Sequence, residues 1–258
     1  MNHNESLALL FSLLAGLSTC IGSMVIFFTR YYNTKILDFS FGFSAGVMIY
    51  IAIGDLMVES QELIRQSVTG KKGDLLSIVF LIIGLLLAAL IEGFVPKEPE
   101  LKITRGKGSA QVFRVGIVSA IAMVLHNFPE GIATFMAGIH GISMGLPIML
   151  AVAMHNIPEG LCIAMPIYFA TKSRKKAFVF SFLSGLAEPA GAIITYLFLR
   201  PFINSFLLGI IFAIVAGTML FISFCEILPA SWQHGHKYVS LCGVLLGLTV
   251  MALCLIII

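Results

Sequence analysis

Two hexapeptides of nearly identical composition carry the chemistry of this chain: His-Asn-Phe-Pro-Glu-Gly from His126 to Gly131, and His-Asn-Ile-Pro-Glu-Gly from His155 to Gly160. On a helix, a histidine and a carboxylate four residues apart share one face, one turn apart. Each copy therefore offers His126 with Glu130, or His155 with Glu159, as a convergent donor pair for a metal. Asn127 and Asn156 add neutral oxygen ligands about 100° round the helix. Pro129 and Pro158 lack a backbone N–H, leave the carbonyls of Leu125 and Met154 unpaired, and are expected to kink both helices at the motif. Glu188, followed by Pro189 in a later apolar run, repeats the device and brings a third carboxylate. Imidazole, carboxylate and amide together suit Zn(II), Fe(II), Mn(II), Co(II) or Cd(II), whereas an all-oxygen set suits Mg or Ca. Two adjacent metal positions sharing Glu130 and Glu159 fit this set.

The elements that must position these residues are membrane helices. Of the 258 residues, 59% are hydrophobic and 11% charged, and the mean hydropathy is +1.00, which excludes an ordinary soluble domain. Eight apolar runs are bounded by charges and Pro/Gly signals: Leu7 to Thr29, Phe39 to Val58, Leu75 to Val95, Val115 to Gly138, Gly145 to Ala170, Ala177 to Leu199, Ser205 to Pro229 and Tyr238 to Ile258. Each is long enough to span a bilayer as a helix. The turn at Ile139 to Met144 lies about 14 residues from the centre of each motif, or about 21 Å at 1.5 Å rise per residue. That depth is near the midplane of a hydrocarbon core about 30 Å thick. Ionisable groups there need a compensating partner such as a cation.

The longest stretch outside the runs, 96–112, is rich in Lys, Gly and Ser and reads as a cytoplasmic loop, so the chain is expected to form one transmembrane domain over 1–258. Only Arg65, Lys71, Lys72 and Arg200 of the 16 Lys and Arg fall on one side of the eight spans. The bias places both termini outside the cytoplasm. It also explains the net charge of +3 without a nucleic-acid partner. The five cysteines lie within apolar runs with no Cys-x-x-Cys spacing and read as buried reduced thiols. No basic region precedes the first run, which reads as a retained helix rather than a cleaved signal.

An internal repeat emerges when the second and seventh runs are aligned, Ala45-Gly46-Val47-Met48 against Ala216-Gly217-Thr218-Met219, with a carboxylate nine residues after each glycine, Asp55 and Glu226. The first and sixth runs align through Gly16 and Gly185, and through Gly22 and Gly191. The order is three helices, a two-helix insert and three again. Corresponding helices stand an odd number apart, so the halves run in opposite directions, an architecture of secondary transporters with the substrate at the midplane. Asp55 and Glu226 are expected near the external and cytoplasmic ends of their helices, either lining a path or standing as solvated end charges. Glu92 reads as interfacial. His234 and His236 are candidates to receive metal at the cytoplasmic mouth, while His140, in an outer loop, and His3, in a disordered tail, carry no expected role.

At the doubled motif the sequence resembles the ZIP family of divalent metal transporters, and in particular its bacterial branch of broad metal range. The resemblance extends to Ser184-Gly185-Leu186-Ala187-Glu188 and to the eight-helix, both-ends-out layout. It implies an all-α transporter in the cell (inner) membrane that takes up Zn(II) and other divalent metals, often as a homodimer, by an elevator-like or rocking motion, with the metal as cargo and no cofactor. It further implies that His126, Glu130, His155 and Glu159 hold one metal, and that Asn127, Asn156 and Glu188 complete a second position. Some relatives carry Gln-Asp in place of His155-Asn156, which bears on metal preference. Two other classes compete with a transporter. An intramembrane metalloenzyme would need an open coordination position and an organic substrate site. A metal-selective channel would show fluxes far above carrier rates.

Overall fold

The computed structural model describes residues 2–28, 33–94 and 109–257. The described residues form eight helices long and apolar enough to cross a membrane: α1 His3–Phe28, α2 Thr34–Arg65, α3 Lys71–Gly93, α4 Val112–Gly138, α5 Ile142–Thr171, α6 Arg174–Leu199, α7 Ser205–Ser231 and α8 Lys237–Ile256. The protein is thus an all-α integral membrane protein. Several helices outrun the apolar stretches because capping and charged turns extend them beyond the hydrophobic pattern. Asn2 accepts from the Glu5 N–H at 2.8 Å and Glu5 returns the bond at 2.7 Å, so α1 begins at His3, where a disordered tail was expected. Asn33, Ser173 and Asn204 cap α2, α6 and α7 in the same way. The C-terminal end of α2 continues through Glu59, Glu62 and Arg65, about two turns past its apolar run. Of the expected loop 96–112, residues up to 108 lie outside the described residues, and the helix leading into α4 already starts at Ser109.

The two motif helices stay helical through Pro129 and Pro158. A break in the helix falls in α6, at Leu186, three residues before Pro189. Between α4 and α5 the chain turns at Gly141, whose φ of 109° is available to glycine without strain. So short a turn makes α4 and α5 antiparallel neighbours and sets both motifs at one depth.

The helices pack as two groups of four. One comprises α1, α4, α5 and α6; the other pairs α2 with α8 and α3 with α7, and α2 also packs on α7. Thinner contacts, chiefly α2 on α5 and α4 on α7, join the groups. Glycines bring backbones together within each group, as small residues do where lipid removes the hydrophobic drive for association. A Cβ at Gly131 would stand 1.9 Å from the Glu188 carbonyl, and one at Gly160 1.9 Å from that of Thr19. Gly191 and Gly22 meet the Phe128 and Ile157 carbonyls in the same fashion, at 2.1 and 1.7 Å. Gly16 and Gly185 meet each other's carbonyls, at 2.4 and 2.3 Å. Each contact has a counterpart at the position assigned by the alignment of the two halves. In the second group Gly46 against Val244 (2.2 Å) matches Gly217 against Leu81 (2.1 Å). The wider turns of α2 and α7, Ile51–Leu56 and Ser223–Ile227, correspond as well, each holding its carboxylate, Asp55 or Glu226, in a π-helical segment. Such segments recur at functional sites.

Candidate metal centre

Four side chains from α4 and α5 converge in the first group. Glu130 Oε1 lies 2.7 Å from His155 Nε2 and 2.9 Å from His126 Nε2, and His126 Nε2 is 3.2 Å from Glu159 Oε1. The two imidazole centroids are 6.1 Å apart. Ligand atoms of His126, Glu130 and His155 all fall within 4.8 Å of one another. None of the four residues is more than 4% exposed, so bulk solvent does not reach them.

The contacts at His126 are close but not aligned as hydrogen bonds. His126 Nε2 and Glu159 Oε1 have no hydrogen-bond partner, and neither do Glu130 Oε2, Glu188 Oε1 and Asn156 Oδ1. Buried polar atoms are almost always paired, and a buried acceptor without a donor costs about 1–3 kcal/mol. Acceptors clustered in this way point at a shared cation better than at one another. Three carboxylates in one dry volume repel unless a cation or protons neutralise them.

The remaining motif residues fix the frame. Asn156 donates to the Ala15 carbonyl at 3.0 Å and to Glu188 Oε2 at 2.8 Å, tying α5 to α1 and to the α6 carboxylate. Asn127 Nδ2 stands 3.3 Å from the Ser184 carbonyl, the counterpart contact on the other side. Turned over, the Asn127 amide donates to Met123 O at 3.1 Å and to Glu159 Oε2 at 3.2 Å, so either orientation braces the cluster. Ser12 and Ser181, equivalent in the two halves, each donate to a motif-glycine carbonyl, Gly131 or Gly160, at 3.4 Å.

The outlying candidates are placed differently from one another. Asp55 is partly buried and lies in the π-helical segment of α2, ten residues before the end of that helix. Glu226 is 9% exposed and ion-paired, not solvated: Arg114 Nη1 reaches its two oxygens at 3.0 and 3.1 Å, and Nη2 bonds Glu92. Arg114 was counted among the loop cations, yet it sits within α4 and joins that helix to α3 and α7 across the group boundary. Its apolar flanks, Val112-Phe113 before it and Val115 to Val118 after it, were the available signal, because an arginine among apolar residues needs carboxylate partners. His234 donates or accepts at 2.7 Å with Asp38, a fully buried carboxylate that sequence reasoning passed over. His236 lies 3.3 Å from Thr34 Oγ1. Neither histidine, nor the exposed His140 and His3, joins the central cluster.

A membrane-spanning helix bundle with a buried, convergent imidazole–carboxylate cluster near the middle of two of its helices defines a class: an integral membrane protein with a histidine–glutamate cluster inside its bundle. The chain belongs to the ZIP zinc transporter family, whose model matches residues 98–255. That is a family of transporters, not enzymes. The chain is 44% identical over 261 residues to the zinc transporter ZupT of Streptococcus mutans, covering 99% of both chains. It is 43% identical over 265 residues to the ZupT of Chlorobium chlorochromatii, again covering 99% of each. Against the ZupT of Oceanobacillus iheyensis it is 43% identical over 263 residues, covering 98% of each.

Proposed function

We propose that this protein takes up Zn(II), and with it Fe(II), Mn(II), Co(II) and Cd(II), into the cytoplasm by alternating access at the central cluster. The observation that carries this reading is the set of buried, unpartnered acceptors contributed by both motifs. His126, Glu130, His155 and Glu159 hold one cation; Asn127, Asn156 and Glu188 complete a second position that shares the two glutamates. Proton release on binding keeps the dry site near neutrality. Pairing of contacts across the two halves supports a three-plus-two-plus-three inverted repeat, and such repeats exchange inward and outward faces by moving one bundle against another. The thin boundary between the two helix groups is where such movement would occur. Asp55 on one side and Glu226 on the other flank the route. The bulk of the basic residues, including Arg114 and Lys172 at one end of the bundle, supports cytoplasmic placement of that end and both termini outside, in the inner membrane, with one transporter domain over 1–258. Apolar faces on α3 and α8 support a homodimer in the bilayer.

Uptake of radioactive zinc into liposomes carrying the purified protein tests the reading. Saturable uptake abolished by Glu159→Ala and altered by Asn127→Ala is expected. Zinc bound tightly but never transported, under any ion or pH gradient, would favour a metalloenzyme or sensor; fluxes without saturation would favour a channel.

A further inference from the structure

Between α4 and α6 the surface carries an apolar crevice of about 240 Å³, larger than the roughly 150 Å³ that accepts a benzene ring. Ile117, Ile121, Val124 and Leu125 of α4 line it, together with Phe180, Leu183 and Ser184 of α6. Val124, Leu125 and Leu183 are 41%, 42% and 58% exposed, so the crevice opens outward. All of these residues lie within membrane-spanning segments, where the surroundings are acyl chains.

Positive charge marks one end of this crevice. Lys176 stands four residues before Phe180 and seven before Leu183, on the same face of α6 and roughly 6 and 10 Å nearer its start. Lys175 is beside it, four residues before the exposed Val179. Both lysines are exposed, and neither joins an ion pair among the described residues. Arg174, in the same turn, is engaged elsewhere: its Nε donates to the Ile26 carbonyl at 3.1 Å and its guanidinium lies 5.7 Å from the centre of the Tyr168 ring. Topology accounts for basic residues at this end of the bundle in general. It does not account for their place in the first turn of α6, where the helix dipole disfavours cations and where α1 and α3 carry Glu5 and Asp74.

The geometry points to a binding site for an anionic phospholipid, with one acyl chain in the α4–α6 crevice and the phosphate on Lys175 and Lys176. The register of the two parts matches that of a lipid. One leaflet contributes about 15 Å of hydrocarbon, and the crevice begins roughly 6 Å inside the lysines, whose apolar stems can lie along it while the ammonium groups stay at headgroup level. A zwitterionic lipid fills the crevice equally well but leaves the two charges uncompensated, so charge complementarity selects the anionic one. The bound chain lies against Leu125, the residue before His126, and against Ser184, whose carbonyl is 3.3 Å from Asn127 Nδ2. Occupancy of the crevice therefore bears on how α4 and α6 meet beside the centre. The inference stands on the membrane fold and is independent of what the centre transports.

Native mass spectrometry of the full chain in detergent, titrated separately with phosphatidylglycerol and with phosphatidylcholine of identical chains, tests the inference. The unmodified protein should retain one phosphatidylglycerol in preference to phosphatidylcholine. With Lys175→Gln and Lys176→Gln together that preference should fall roughly 30-fold, the factor that two interfacial lysines contribute. Val124→Trp, at an exposed position of the lining, fills the crevice with both lysines intact and should release the lipid. Equal retention of the two lipids by the unmodified protein overturns the site, and so does a preference that survives the double substitution. Retention unaffected by Val124→Trp places the lipid outside the crevice and overturns it too. A dimer that dissociates on Val124→Trp would make a second copy of the chain the occupant in place of a lipid.

Discussion

Gly131→Ala is the sharpest probe of how packing sets the centre. The new Cβ would lie 1.9 Å from the Glu188 carbonyl oxygen, where ordinary contact begins at 3.4 Å, so α4 and α6 must part by roughly 1.5 Å. The struck atom is backbone, which cannot swing aside as a side-chain tip does. Glu130 precedes the substituted residue and Glu188 owns the struck carbonyl, so the separation is applied directly between two carboxylates of the cluster. Metal–ligand distances tolerate about 0.2 Å, and loss of a supporting contact costs about 10–100-fold in affinity. Overpacking should also cost about 1–3 kcal/mol of stability. Zinc affinity by calorimetry and thermal unfolding in detergent should both move. Gly93→Ala, where nothing lies within 4 Å, should leave both unchanged. Gly160→Ala, with its own 1.9 Å contact at Thr19, should behave like Gly131→Ala. A Gly131→Ala protein with unaltered zinc affinity would refute the link between this helix contact and the ligand geometry.

Further outcomes follow from the same contacts. Glu130→Gln removes the carboxylate that faces both histidines and should reduce zinc uptake in liposomes to background; uptake near half the normal rate would mean the cation is held elsewhere. Asn156→Ala frees Glu188 Oε2 and the Ala15 carbonyl, and should weaken the second of two zinc equivalents more than the first; equal weakening would argue against a separate second position. Arg114→Gln leaves Glu226 and Glu92 without their cation and should destabilise the protein by about 3 kcal/mol, the scale for breaking a mostly buried pair; Glu92→Gln, at the more exposed partner, should cost less. Protons and cations compete for the same carboxylates, so zinc affinity should fall with falling pH by about tenfold per pH unit for each proton displaced. Calorimetry in buffers of different ionisation enthalpy counts those protons, and an affinity independent of pH would show that binding displaces none.

How much was legible in the chain follows from the range of each signal. Helix number and membrane character depend on local composition, and all eight runs appear as helices. Their ends were misplaced where a cap or charged turn prolonged the helix, as at Asn2 and at Glu59 to Arg65, because hydropathy does not register a cap. The depth of both motifs was countable, since rise per residue is constant and the Gly141 turn is short. Bonds across the bundle were not countable. Whether Asp55 lines a path or stands as an end charge was left open because α2 was drawn too short, and Arg114 was counted with the loop cations because its partners, Glu92 and Glu226, lie 22 and 112 residues away.

The sequence by itself determined which groups are available for chemistry: imidazoles and carboxylates four residues apart, twice, in runs that can only be membrane helices. Periodicity is local, so this much needs no partner helix. Only the tertiary structure decided that His155 meets Glu130 rather than its own Glu159, that Asn156 braces Glu188, and that Arg114 holds Glu226 and Glu92. The first two pairings depend on the glycine contacts among α1, α4, α5 and α6, where the rotation and separation of whole helices, set jointly by many residues, place each ligand atom to within a fraction of an ångström.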